Sequence, residues 1–115
     1  MGYMLLIVEP PGQREDRDLA AGQEAFAQMQ AFAGRLQAEG VLAGVNALKR
    51  AGTRVTKRDG RVQALDGPFA ETKELVGGYF LLEGVSRERA LQLAADCPAA
   101  AWATVEVRET GTCYE

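Results

Sequence analysis

The chain has 115 residues, 47% of them hydrophobic and 25% charged, with thirteen Lys and Arg against sixteen Asp and Glu. That is the size of one domain able to bury a core without staples, its balance excludes wholesale disorder, and its net charge of −3 disfavours direct nucleic-acid binding. There is no histidine, so Ser-His, Cys-His and His-metal chemistry are all excluded.

Cys97 and Cys113 are too few for a disulfide framework and read as free thiols of a reducing cytoplasm. Without an activating histidine, neither is expected to act as a nucleophile. The longest apolar run near the N-terminus, Met4 to Val8, is too short for a membrane span or a signal core, so a soluble cytoplasmic protein is expected. No acidic loop has metal-ligand spacing, and neither metal nor cofactor is expected. Arg outnumbers Lys ten to three, a bias read as that of a GC-rich bacterial genome.

In chain order, Tyr3 to Glu9 reads as a buried strand stopped by Pro10-Pro11-Gly12. The mixed charges of Arg14 to Asp18 read as a solvated loop or helix start. Between Ala21 and Glu39, the residues Phe26, Met29, Phe32, Ala33 and Leu36 recur at helical spacing before Gly40, which predicts one amphipathic helix with that stripe in the core. Val41 to Leu48 follows as a strand bent at Gly44. Thr53 to Lys57 and Arg61 to Leu65 flank Asp59-Gly60, a hairpin signal, and this hairpin is expected to project from the sheet edge. Gly78 to Glu83 is another strand, and Ser86 caps a helix through about Asp96 with Ala90, Leu91, Leu93 and Ala94 inward. Pro98 ends it, Trp102 fills space beside the last strand or at a subunit contact, and Ala103 to Arg108 alternates as a half-buried strand.

The order β-α-β, hairpin, β-α-β predicts a single α+β domain over residues 1–115 of the ferredoxin-like, split βαβ type, with an antiparallel sheet and an inserted β-hairpin. Both helices lie on one face of such a sheet. The other face then needs cover, and a homodimer supplies it.

One segment is over-specified for its place: Asp66-Gly67-Pro68-Phe69-Ala70-Glu71-Thr72-Lys73-Glu74, followed by Gly77-Gly78-Tyr79. The Gly-Pro step stiffens the loop and presents Asp66 and Glu71 in a set geometry, while Phe69 reads as packing. Asp66 is equally readable as a turn residue.

This string closely resembles the signature of the DGPF group within the YCII-related proteins. The resemblance extends to Tyr3-Met4-Leu5-Leu6-Ile7, to Gly40-Val41-Leu42 and to Pro98-Ala99-Ala100 before Val105-Glu106-Val107-Arg108, and so covers nearly the whole chain. It implies a ferredoxin-like subunit, a dimeric α+β barrel and a cleft between sheet and loops. In the wider superfamily a His-Asp pair is a proposed catalytic element, and some relatives look like enzymes on small aromatic or lactone-like acids. Here the Asp is Asp66 and the His is missing, so any acid-base role falls to Asp66, with Glu71, Lys73 and Tyr79 as ligand-binding candidates. The resulting expectation is a small organic molecule bound or transformed beside the Asp66-Gly67-Pro68-Phe69 loop. The alternative is a non-catalytic partner or regulatory module associated with sigma-factor-dependent transcription, which the resemblance suggests through genomic neighbourhood.

Overall fold

A computed structural model describes residues 2–67 and 73–114 of the chain. Pro68, Phe69 and Glu71, singled out above, lie outside the described residues. Among the described residues, six strands and three α-helices run in the order β1 (Gly2–Glu9), α1 (Gln13–Asp16), α2 (Leu19–Glu39), β2 (Leu42–Ala47), β3 (Thr53–Arg58), β4 (Arg61–Asp66), β5 (Leu75–Glu83), α3 (Arg87–Asp96) and β6 (Thr104–Glu109). A 3-10 turn, Pro98–Ala101, joins α3 to β6.

Four strands form one antiparallel sheet in the order β2-β5-β1-β6, with β3 and β4 paired separately as a two-stranded arm. This is the ferredoxin-like α+β fold expected from the element order. The bend expected at Gly44 is a shift in register between Leu42 and Gly44. At the arm's tip both Asp59 and Gly60 have positive φ, 52° and 75°, as a two-residue hairpin turn requires.

Helix ends follow their local chemistry. Asp18 accepts a hydrogen bond from the Ala21 N–H at 2.7 Å to start α2, and Gly40 closes it in the left-handed region at φ 80°. Ser86 accepts from the Arg89 N–H to start α3.

The period-2 alternation of β1 sets the two faces of the sheet. Leu5 and Ile7 lie beside Phe80 and Gly78 of β5 and beside Val107 and Val105 of β6, on the face covered by α2 and α3. The Phe32 ring of α2 meets the Phe80 ring edge-on, centroids 5.2 Å apart, at the centre of this core. On the opposite face Met4, Leu6 and Val8 pair with Leu81, Tyr79 and Val76, and no element among the described residues covers them.

Two expectations are corrected and one is refined. The run 14–18 is a helix start, as one of its two readings had it, with Glu15, Asp16 and Asp18 exposed, but Gln13–Asp16 also carries Arg14 onto a buried carboxylate. Phe26 is 53% exposed rather than core, since only the C-terminal half of α2, through Phe32 and Leu36, is pressed to the sheet. Leu91 is exposed too, because the buried stripe of α3 is Ala90, Leu93 and Ala94.

Candidate functional site

The N-terminal half of α2 stands away from the sheet and leaves an open cleft of about 1150 Å³ between them. Its walls are mainly apolar: Leu19, Phe26 and Met29 from α2, Ile7 from β1 and Val45 from β2. A space of this size lies just above the roughly 300–1,000 Å³ usual for small-molecule sites.

The polar end of the cleft is built around Glu9, the last residue of β1. It lies on the same face as Leu5 and Ile7 and is 6% exposed, so its carboxylate must be compensated. Pro10 to Gly12 turn the chain back, and α1 then brings Arg14 alongside, its Nε 2.6 Å from Glu9 Oε1. The same guanidinium donates through Nη1 to the Leu48 carbonyl at 2.6 Å and through Nη2 to the Gly77 carbonyl at 3.0 Å. Arg14 therefore ties the ends of β1, β2 and β5 together, and little of its charge is left for a ligand.

Arg17, three residues on, is differently placed. Its guanidinium lies 5.4 Å from the centre of the Trp102 ring, a cation–π contact, and it makes no ion pair among the described residues. The neighbouring Asp18 carboxylate is engaged in capping α2. Trp102 is held in turn by Gln13, whose side-chain amide donates to its carbonyl. Arg17 is thus a cation of the cleft lining with no ion pair among the described residues.

The residues expected from the sequence occupy three different places. Asp66 ends β4 opposite Thr53, whose hydroxyl donates to its Oδ1 at 2.7 Å, and the adjoining Gly67 N–H bonds the Gly52 carbonyl. This closes the base of the arm, outside the lining of the α2 cleft. By the register of β5, Tyr79 lies on the uncovered sheet face, where its hydroxyl accepts from Asn46 Nδ2 at 2.8 Å, and it is also among the residues that line the α2 cleft. Lys73 lines a second, smaller cleft of about 400 Å³ with Glu74, Val8 and Thr104, and this cleft shares Glu9 and Trp102 with the larger one. Glu71 is outside the described residues. No hydrogen bond or ion pair joins Asp66, Lys73 and Tyr79 to one another.

Glu9, Arg14 and Arg17 are not among the site residues that the sequence pattern picks out. Glu9 continues the odd-numbered inward face of β1, and that alternation was the available signal.

A family model for the YCII-related domain matches residues 1–110. The chain belongs to the YCII-related domain family. No curated protein matches it.

Within this YCII-related domain the paired glycines that open β5 have separate physical reasons. A Cβ on Gly77 would sit 2.5 Å from Glu9 Oε2 and 2.7 Å from Arg14 Nη2, so Gly77 makes room for the ion pair. A Cβ on Gly78 would lie 2.8 Å from the Asn46 carbonyl oxygen, so Gly78 lets the backbone of β2 approach. Cys97 is buried, its thiol 3.9 Å from Met29 Sδ, and burial pushes its pKa up against the opposing effect of backbone hydrogen bonds from Ala99 and Ala100. That is the setting of an inert structural thiol rather than a nucleophile.

Proposed function

We propose that this chain binds a small organic molecule with an apolar body and an anionic end, held between α2 and the sheet. The observation that carries this reading is the contrast within one cleft, whose lining combines the apolar Phe26, Leu19 and Val45 with Arg17, a cation that has no ion pair among the described residues. A guanidinium beside an aromatic ring suits a planar carboxylate, and an apolar wall suits an aryl or alkyl chain. Binding rather than turnover is the function this geometry supports. Glu9 is neutralised by Arg14, and the histidine that would serve as a base near neutral pH is absent from the chain.

Asp66, Glu71, Lys73 and Tyr79 form a proposed secondary set. Tyr79 has direct support because it lines the proposed cleft, and Lys73 has some because its smaller cleft shares Glu9 and Trp102 with the larger one, where a second cation would favour the same anionic end. Asp66 has less, since Thr53 already engages its carboxylate. We propose also that two copies pack their uncovered sheet faces together, which would bury Met4, Leu6, Val8 and Leu81.

The test is a thermal-shift screen of aryl-alkyl carboxylates against their matched alcohols, on wild type, Arg17→Ala and Phe26→Ala. Ligand at a hundred times its Kd stabilises the folded state by about 2.7 kcal/mol, a shift of about 10 °C for a domain this size. Carboxylates should shift wild type, alcohols less, and both variants should lose the difference. A panel that leaves wild-type melting unchanged at millimolar concentration removes the reading.

A further inference from the structure

We infer that the β3–β4 arm is an interaction surface whose occupant is a second copy of this chain. This rests on the homodimer proposed above and assigns the arm a part in it.

Within one copy the arm is anchored at its base, where Arg50 pairs with Glu15. Among the described residues it packs appreciably only on itself, strand against strand. An isolated two-stranded hairpin is marginally stable in water, so a hairpin of two six-residue strands needs a surface to lie on. Its register puts Val55 opposite Ala64 and Lys57 opposite Val62, which gathers an apolar stripe on one side, with Val55 and Val62 each 65% exposed.

The size of the uncovered surface fits a subunit contact. One copy exposes 8042 Å², whereas a compact domain of its mass exposes about 6100 Å². The excess is more than twice the roughly 800 Å² per partner of a standard interface. Its radius of gyration, 16.0 Å, likewise exceeds the ~13 Å of a compact chain of about a hundred residues.

Charge identifies the occupant. Residues 49–66, the arm and its base, hold six Lys and Arg against two Asp and Glu, which leaves seven against fourteen in the rest of the chain. With the Arg50–Glu15 pair of the same copy set aside, a segment of net +3 on a body of net −6 is complementary to another copy of the same body, and the complementarity is reciprocal in a two-fold pair. The same acidic body disfavours nucleic acid as the occupant.

Sedimentation velocity over a concentration series, on wild type and on the double variant Val55→Asp, Val62→Asp, tests the inference. The variant should dimerise at least tenfold more weakly while its dilute form keeps the wild-type circular dichroism. A second measurement needs no variant: amine cross-linking of mixed light and heavy-isotope wild-type protein should yield inter-subunit links from Lys57. An unchanged dimer constant in the variant, or no inter-subunit link from Lys57 in a wild-type dimer, overturns the role of the arm and leaves the sheet-face dimer standing. Wild type that stays monomeric at 100 µM overturns both. Binding of a 30-base-pair DNA duplex at 150 mM salt that is lost in Arg58→Ala, Arg61→Ala, with dimerisation unaffected, assigns the arm to nucleic acid and overturns the inference as well.

Discussion

Glu9 and Arg14 meet at 2.6 Å across the turn that ends β1, and Gly77 packs so closely against the pair that no side chain fits there. Both Arg14 Nη atoms are already committed to the carbonyls of Leu48 and Gly77, so the guanidinium cannot swing away to admit a methyl group. Gly77→Ala is therefore an overpacking substitution and should destabilise by about 1–3 kcal/mol. Chemical denaturation of the variant beside wild type measures it. A change within a few tenths of a kcal/mol would mean that the pair relaxes freely and is not the clamp described here.

The two cysteines should separate by reactivity. Cys97 is buried against Met29 with its thiol pKa raised by burial, while Cys113 is exposed in the C-terminal segment. An aromatic disulfide reagent at mildly alkaline pH should titrate one thiol per chain quickly, and the second only after denaturant is added. Two fast thiols in the native protein would place Cys97 at an accessible surface and contradict the packing of the segment that follows α3 against Met29 of α2.

The joint between α2 and α3 should respond to acid. Arg89 donates to both carboxylate oxygens of Glu39, at 2.5 and 3.1 Å, and these hydrogen bonds, with a smaller coulombic contribution and against some desolvation, hold the Glu39 carboxyl below its ordinary pKa. A carboxyl depressed in the folded state adds stability above its unfolded pKa and loses it as pH falls through the folded value. The stability difference between wild type and Arg89→Ala should thus be present near neutral pH and vanish in acid, below the usual glutamate range. The pair is solvent-exposed, so the difference should be small and should shrink with added salt. A difference that grows on acidification has the wrong sign for this pair.

The sheet, both long helices and the arm were legible because each rests on a local signal. Asp59-Gly60 states its turn within two residues, and Ser86 and Gly40 mark helix ends by their own chemistry. The clamp was not legible, because an acid closing a strand and an arginine in a mixed-charge run both look solvated until the turn at Pro10 to Gly12 brings them together. Periodicity also misplaced Phe26 and Leu91, since a helical stripe tells which residues share a face but not how far along the helix that face stays in contact. For Asp66 the sequence left a turn residue and a ligand-facing carboxylate equally open, and its hydrogen bond to Thr53 adds weight to the turn.

Phe26 and Phe32 set two roles apart on one helix, and their alanine variants should behave in opposite ways. They are six residues apart on α2, yet Phe32 is 1% exposed against Phe80 while Phe26 is 53% exposed on the wall of the cleft. Phe32→Ala removes a fully buried ring from the centre of the core and should cost about 3–5 kcal/mol through lost burial and the cavity left behind. That is a large part of the ~5–15 kcal/mol holding a small domain together, so this variant should unfold at markedly lower denaturant. Phe26→Ala leaves no cavity, puts a better helix former on α2, and should change stability by less than about 1 kcal/mol. Its effect should appear in binding, as a reduced thermal shift from the aryl-alkyl carboxylates that stabilise wild type. The decisive measurement is the pair of melts, each with and without ligand. If Phe26→Ala destabilises as severely as Phe32→Ala, the N-terminal half of α2 is closed onto the sheet in solution, and the cleft loses the wall on which the binding proposal depends.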